Sequence, residues 1–307
     1  MITFLSSPKA FVGHAGKIQK NAILSWLSVH SYVEVIIYGD GEGVSEACRE
    51  MGVSHVSDIA CSPSGVPFFN GIVEHAKKHA RNDMQCYLNC DILLTPHIAN
   101  ISSLITFPRY LVIGQRFDLA EGVDLTITPS WKQELTQLAD KGLATLHAPT
   151  GIDYFVFPRG LWYGLLPLVI GRAGYDGALL AFCLSHDIPI IDGTCAIPAI
   201  HQFHDYGHVA GAKKEIWSGG DAANNYSLHN VKRGTPTITD AVLQLHDMAL
   251  YDIAGEKNYL RTLELKLRFR WRFKLLSLVV RVLMRVIYPA DISTSNRRTT
   301  TDVLDCF

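Results

Sequence analysis

Short apolar segments alternate with helix-like segments over the first 90 residues of the chain. The apolar runs fall at 2–5, 33–38, 53–56 and 86–90, and amphipathic stretches at 19–30, 44–51 and 68–79 separate them. Buried strands joined by helical crossovers form a mostly parallel sheet with helices on both faces. The sequence therefore predicts an α/β fold with a Rossmann-like sheet at its amino-terminal end.

Length and charge indicate one large domain followed by a tail of different character. The 307 residues, 48% of them hydrophobic, suffice for a sizeable core. Residues from Arg261 onward carry ten basic and four acidic side chains, a net charge of +6. The formal net charge of the whole chain is -1, so the residues before Arg261 carry -7. This balance argues against a nucleic-acid-binding body. We predict a domain at 1–255 and a basic amphipathic tail at 256–307.

Cysteine usage and the amino terminus favour a cytoplasmic protein. The seven cysteines are scattered and form no CxxC pair, so we expect neither a disulfide framework nor a zinc-binding cysteine cluster. Residues 1–5 lead directly into an apolar strand, which does not resemble a signal peptide. No uninterrupted apolar run reaches the roughly 18 residues of a spanning helix.

The carboxyl-terminal segment carries two different periodicities. Apolar residues occupy every second position from 263 to 273, which on periodicity alone predicts a strand. From Arg270 a helix fits better, because five polar residues fall within an arc of about 80° at 100° per residue: Arg270, Lys274, Ser277, Arg281 and Arg285. Such a helix, with Trp271 and Tyr288 near its ends, suits an anionic membrane surface. The alternative is a helix packed on the domain or on a second subunit.

A polar step, Asn89-Cys90-Asp91, lies at the end of the buried strand at 86–90. A carboxylate at a strand end needs a partner such as a metal, a charged ligand or a helix N-terminus. In the simplest alternative, Asp91 only caps the next helix, for which Thr95-Pro96 also provides a start signal. The step resembles the Asp-x-Asp motif of nucleotide-sugar-dependent glycosyltransferases of the GT-A fold, with Asn89 at its first position.

The resemblance implies a divalent metal, Mn²⁺ or Mg²⁺, that bridges the phosphates of a sugar donor. Asp91 is the expected direct ligand, because Asn89 offers only a neutral oxygen. Members of this fold often supply a late histidine, and three histidines lie within eight residues here: His201, His204 and His208. Imidazole is an ordinary ligand for such ions. Spacing does not choose among the three, although His201 and His204 are favoured.

The resemblance also implies roles for other residues. Asp176, in a glycine-rich turn before an apolar helix, matches the catalytic base of inverting members, and its alternative is a simple helix cap. Donor-binding candidates are Ser6, Asp40, Asn70, Asn89, Asp91 and Arg116, and acceptor-binding candidates are Asp153 and Trp162. As an alternative, Arg116 forms only a surface salt bridge with Asp118.

Together these features predict a metal-dependent glycosyltransferase. It would move a hexose from a nucleotide-diphosphate donor to a glycan or lipid-linked acceptor, as in polysaccharide biosynthesis, on the cytoplasmic face of a membrane. A sugar nucleotidyltransferase is one alternative, although 6–10 lacks the glycine-rich basic loop typical of that class. The other is a membrane-bound scaffold without activity. No P-loop, GxSxG or HExxH motif is present.

Overall fold

A computed structural model describes residues 1–204, 212–229, 235–253, 255–288 and 298–307. The strands are β1 (Ile2–Ser6), β2 (Glu34–Tyr38), β3 (Ser54–Val56), β4 (Met84–Leu88), β5 (Ile92–Leu94), β6 (Leu111–Leu119), β7 (Ala144–Leu146), β8 (Ile152–Pro158), β9 (Ile190–Asp192), β10 (Ala199–His201), β11 (Leu243–His246) and β12 (Ala249–Asp252). The helices are α1 (Gly13–Leu27), α2 (Val44–Met51), α3 (Phe69–His79), α4 (Trp131–Asp140), α5 (Tyr175–Ser185), α6 (Ala212–Ser218), α7 (Gly220–His229), α8 (Glu256–Phe269), α9 (Lys274–Ile287) and α10 (Thr300–Leu304).

Nine of the twelve strands in the described part of the chain form one twisted sheet with the order β12-β11-β9-β6-β8-β4-β1-β2-β3, and β5, β7 and β10 lie off this path. Strand β1 lies between β2 and β4 and is parallel to both, and β2 is parallel to β3. Strand β8 runs antiparallel to its two neighbours, β4 and β6. The predicted α/β class with a mostly parallel sheet flanked by helices is confirmed.

A small second layer forms where β6 leaves the main sheet. Its first half pairs with β9, and its second half pairs with β10 and β7. The register shifts between Ile113 and Gln115. A Cβ atom on the intervening Gly114 would lie 2.0 Å from the Tyr154 hydroxyl, so this crossing point requires glycine. Strand β10 also pairs with β5, and this pairing builds the edge at which the polar residues collect.

The core lies on both faces of the sheet, as the period-two pattern of the strands requires. Phe4 packs on one face with Trp26 of α1, whereas its neighbour Leu5 packs on the other face with Phe69 of α3. Helix α5 is buried along almost its whole length, which explains why its sequence is apolar on every side. Its first turn carries Asp176.

Two local predictions from the sequence are corrected. The period-two segment at 263–273 does not form a strand, because most of it belongs to α8, which buries Leu265 and Leu267 against other helices. In addition, Cys195 and Cys306 form a disulfide across 111 residues. Near it, Arg298 lies 2.6 Å from the buried carboxylate of Asp192, so the carboxyl-terminal residues return to the sheet.

The carboxyl-terminal helices are held together by one buried carboxylate, Glu264 of α8. Its fully buried oxygens lie 2.7 Å from Arg261 and 2.6 Å from Arg281 of α9, and they accept a hydrogen bond from Ser277. Burial alone would raise the pKa of Glu264, but the hydrogen bonds and neighbouring guanidinium charges, including that of Arg268, lower it overall. Glu264 therefore stays ionised and organises the α8–α9 pair.

We predict that Glu264→Ala lowers the free energy of unfolding by about 3–5 kcal/mol. The substitution leaves several guanidinium groups clustered without their common counter-ion. Urea denaturation followed by circular dichroism measures the change. Glu256→Ala, in the exposed first turn of the same helix, is the control and should change stability by less than about 0.5 kcal/mol. Equal stability of the two variants would contradict the role given to Glu264.

Candidate metal and catalytic site

The polar step after β4 lies against the segment that follows β10. In the antiparallel β5–β10 pair, Ile92 is opposite His201. The carbonyl oxygen of Asp91 accepts hydrogen bonds from both the backbone and the side-chain nitrogen of Gln202. These main-chain contacts fix Asp91 beside the histidines, about 110 residues away along the chain.

Asp91, His201 and His204 form a cluster with the geometry of a metal site. The Oδ2 atom of Asp91 lies 3.1 Å from Nε2 of His204 and 3.9 Å from Nε2 of His201. All three potential ligand atoms lie within 4.8 Å of one another. Ligands about 2.1 Å from a shared ion can be at most about 4.2 Å apart, so small side-chain rotations suffice.

The donor set also fits such an ion chemically. The second carboxylate oxygen of Asp91, Oδ1, is buried and has no hydrogen-bond partner, and it is therefore available to a cation. Burial acts to raise the pKa of Asp91, but the hydrogen bond with His204 and the charges of His201 and Lys9 outweigh it and hold the pKa well below its usual range. An anionic oxygen with two imidazoles suits Mn²⁺-type ions.

Asp118, near the end of β6, orients His201 by contacting the ring nitrogen that does not face Asp91. One of its oxygens lies 3.4 Å from Nδ1 of His201 and 2.7 Å from Nε of Arg116, and the other lies 2.5 Å from Nδ1 of His147. Burial would raise the pKa of Asp118, but these partners lower it far below its usual range. A carboxylate on Nδ1 leaves Nε2 of His201 to face Asp91, the usual arrangement of a histidine ligand.

Arg116 and Asp153 connect this cluster to Asn89. The guanidinium group of Arg116 forms an ion pair with Asp153, and the Asn89 amide donates a 2.6 Å hydrogen bond to the other oxygen of Asp153. Desolvation alone would lower the pKa of Arg116, but the two carboxylates raise it. The predicted Arg116–Asp118 pair is present, but it is partly buried and forms part of the network. An aspartate in place of Asn89 would set two carboxylates against each other.

Asp176, in the first turn of α5, is influenced by the charges of this network and has a raised pKa. Its pKa is raised to about 8, first because burial disfavours the charged form and second because Asp153 is negatively charged, whereas Arg116 acts in the opposite direction. The N-cap of α5 is Gly174, so Asp176 lies inside the first turn and does not occupy the N-cap position. A carboxyl group with a pKa near neutrality suits acid–base chemistry.

The other candidates differ in their surroundings. The Ser6 hydroxyl donates to the Leu88 carbonyl and thereby joins β1 to β4. Asp40 is exposed after β2, and Asn70 in α3 has a buried oxygen without a hydrogen-bond partner. Trp162 is buried among Phe69, Phe157 and Phe182 in the core. His208 lies outside the described residues. Their assignments to donor, acceptor or metal stay predictions.

Sequence reasoning missed His147, because its position depends on the antiparallel β6–β7 pair. Asp118 is opposite Thr145 in this pair, which brings His147 beside the Asp118 carboxylate. A Cβ atom on Gly151 would lie 2.2 Å from the His147 ring, so glycine at that position leaves room for the imidazole. The only available sequence signal was a histidine shortly after a short strand, which is too common to be informative.

No protein-family model matches the chain. The search of curated proteins also finds no match.

Solved structures with a similar layout of the chain include nucleotide-sugar enzymes. A structure described only as a mycobacterial protein is 12% identical, with a TM-score of 0.46 over 84% of this chain and 81% of that one. Glucosyl-3-phosphoglycerate synthase from Mycobacterium tuberculosis, in complex with Mn²⁺ and UDP-glucose, is 13% identical, with a TM-score of 0.42 over 70% and 76%. CMP:2-keto-3-deoxy-manno-octonic acid synthetase with CTP is 15% identical, with a TM-score of 0.37 over 66% and 89%. At these TM-scores the similarity carries no functional argument.

We predict that Asp91→Asn abolishes Mn²⁺ binding and leaves the fold intact. The substitution removes the anionic oxygen but keeps the size of the side chain. Electron paramagnetic resonance of free Mn²⁺ measures binding. Asp83→Asn, at the opposite end of β4 with a largely exposed carboxylate, is the matched control and should bind Mn²⁺ like the unmodified protein. Unchanged Mn²⁺ affinity in Asp91→Asn would refute the metal assignment.

We further predict that Asp118→Ala weakens Mn²⁺ binding by about 10- to 100-fold without abolishing it, because loss of a carboxylate behind a histidine ligand has effects of this size. The same Mn²⁺ titration measures the loss, and Asp140→Ala on the surface of α4 is the control. An affinity equal to that of the control would show that Asp118 does not position His201.

Proposed function

We propose that this protein is a metal-dependent glycosyltransferase that uses a nucleotide-diphosphate sugar as donor. The main support is that a compact cluster of metal-ligand type, Asp91 with two histidines, is linked through Arg116 and Asp153 to an acid of raised pKa, Asp176. A site that combines a divalent cation with a nearby proton acceptor suits displacement at a carbon that bears a diphosphate leaving group.

Asp91, His201 and His204 would hold the ion, with Asp118 fixing the orientation of His201. When bound, the ion supplies positive charge that neutralises the diphosphate of the donor and of the departing nucleoside diphosphate. Asn89 stays close to this position through its hydrogen bond with Asp153. Its amide holds Asp153 without adding a second negative charge beside it.

Asp176 would accept the proton of the acceptor hydroxyl. The hydroxyl oxygen forms a bond to the anomeric carbon of the sugar, and the bond from that carbon to the diphosphate oxygen breaks. Its electron pair leaves with the nucleoside diphosphate, and the hydroxyl proton goes to the Asp176 carboxylate. Because the pKa of Asp176 is about 8, the deprotonated, active form increases as pH rises through that value.

The remaining candidates would surround these groups. Ser6, Asp40, Asn70 and Arg116 would contribute to the donor side, and Asp153 and Trp162 to the acceptor side. Asn70 is favoured by its buried oxygen without a partner, which a ligand hydroxyl or amine can satisfy. Asp40 is favoured by its place at the carboxyl end of β2, where open α/β sheets bind their ligands.

The acceptor that we propose is a glycan or a lipid-linked saccharide, consistent with a role in polysaccharide biosynthesis. We place the protein at the cytoplasmic face of a membrane. The support for membrane association is the +6 charge from Arg261 onward, together with the apolar surface of α9.

The test of the transferase proposal is a donor screen. Purified protein with Mn²⁺ is incubated with a panel of nucleotide-diphosphate sugars, and release of the nucleoside diphosphate is measured with and without saccharide acceptors. We expect at least one donor to be consumed slowly by water and faster with an acceptor. If no donor binds or reacts, the proposal is wrong. Formation of a nucleotide sugar from a nucleoside triphosphate and a sugar 1-phosphate would instead support the nucleotidyltransferase alternative.

A pH profile tests the role of Asp176 in the same reaction. We predict that the transfer rate rises with pH, is half-maximal near the pKa of Asp176 at about 8 and levels off at higher pH, and that Asp176→Asn lowers it by about 10²- to 10⁴-fold while Mn²⁺ binding is retained. Asp140→Asn serves as a surface control with an unchanged profile. A rate that is independent of pH between 6 and 9, or an active Asp176→Asn variant, would contradict this assignment.

A further inference from the structure

Helix α9 packs on the protein through its polar side. Ser277 is buried and donates a hydrogen bond to Glu264, and Arg281 forms an ion pair with the same carboxylate. Val280 and Met284, which lie next to them on the helix, are buried against α8. Two residues of the polar arc identified from the sequence, Ser277 and Arg281, therefore face α8.

The opposite side of α9 is apolar and exposed. Eight of its side chains are at least half exposed: Leu275, Leu276, Leu278, Val279, Val282, Leu283, Val286 and Ile287. At 100° per residue they cover roughly 180° of the helix circumference. We call these eight residues the α9 apolar face. A surface helix of a protein in water normally packs through its apolar side and exposes its polar side. Because α9 does the opposite, its exposed apolar face indicates a binding partner.

The surroundings of the α9 apolar face are basic and aromatic. Arg272 and Lys274 are exposed at its amino-terminal end, and Arg285 is exposed near its carboxyl-terminal end. Trp271 and Phe273 are exposed just before the helix. Between positions 270 and 288 the sequence contains no aspartate or glutamate. Cations and aromatic rings around an apolar surface are the composition that binds the interface of an anionic bilayer.

We propose that the α9 apolar face inserts into the interface of an anionic membrane, with the helix lying parallel to the surface. A second copy of the chain fits less well, because a symmetric contact would place the basic groups of two molecules near each other. The proposed helix lies on the membrane and does not cross it. The described helices include none that is long and apolar enough to cross a bilayer, and the 14 residues of α9 extend only about 21 Å.

Glu264 gives this surface a fixed orientation. It holds the polar side of α9 on α8, and α8 is itself anchored to the α/β domain by Leu265 in the core and by Arg270, which lies 2.7 Å from Asp187 after α5. Helix α5 begins at the turn that carries Asp176. The bound membrane would therefore have a defined position relative to the candidate site, because the connection runs through packed helices.

The experiment is co-sedimentation of the full-length protein with sucrose-loaded vesicles of phosphatidylcholine, with and without phosphatidylglycerol. We expect binding to the vesicles that contain phosphatidylglycerol, weakened by salt. Leu283→Glu, within the α9 apolar face, should lower the partition coefficient by at least tenfold. Leu24→Glu is the matched control, since Leu24 has nearly the same exposure (55% against 51%) but lies on α1. It should change the coefficient by less than about twofold.

Two outcomes would overturn the proposal. One is equal vesicle binding by Leu283→Glu and Leu24→Glu, which would show that the α9 apolar face is not the contact. The other is a soluble dimer that does not bind vesicles and that Leu283→Glu dissociates in sedimentation velocity. Circular dichroism of each variant confirms folding. Because no nucleotide sugar is present, the result is independent of the transferase proposal.

Discussion

The pairing of β5 with β10 is the contact on which the candidate site depends. It places Ile92 opposite His201, and Gln202 then binds the Asp91 carbonyl through two hydrogen bonds. Without this pairing, the carboxylate after β4 would be buried without its cationic partners, at a cost of several kcal/mol. Main-chain hydrogen bonds thus hold in place a cluster whose side chains alone would not stay together.

Acidic and basic side chains alternate from this contact to the other end of the site. Asp91 faces His201, His201 faces Asp118, Asp118 faces Arg116, and Arg116 faces Asp153. Asp91 and Asp118 each have strong cationic partners and a lowered pKa, whereas Asp176 is affected mainly by burial and by Asp153 and has a raised pKa. One network therefore produces two kinds of acid: carboxylates that stay ionised for a metal and one that can exchange a proton near neutral pH.

Features carried by short segments could be predicted from the sequence, and features that depend on long-range register could not. The α/β class followed from periodicity, and the same strand order drew attention to Asp91 and the histidines after β10. His147 depends on the β6–β7 pairing and gave no local signal. For α9 the arc of polar residues could be predicted from the sequence, but the side of the helix that faces the protein could not. That side is set by Glu264, 13 and 17 residues before Ser277 and Arg281.

The central claim is that Asp91, His201 and His204 share one divalent ion. Anomalous diffraction at the manganese absorption edge, on crystals of the protein with Mn²⁺, tests it most directly. We predict a single strong peak about 2.1–2.3 Å from a carboxylate oxygen of Asp91 and from Nε2 of His204, with Nε2 of His201 as the third ligand. A peak elsewhere, or no peak at this cluster at saturating Mn²⁺, would contradict it.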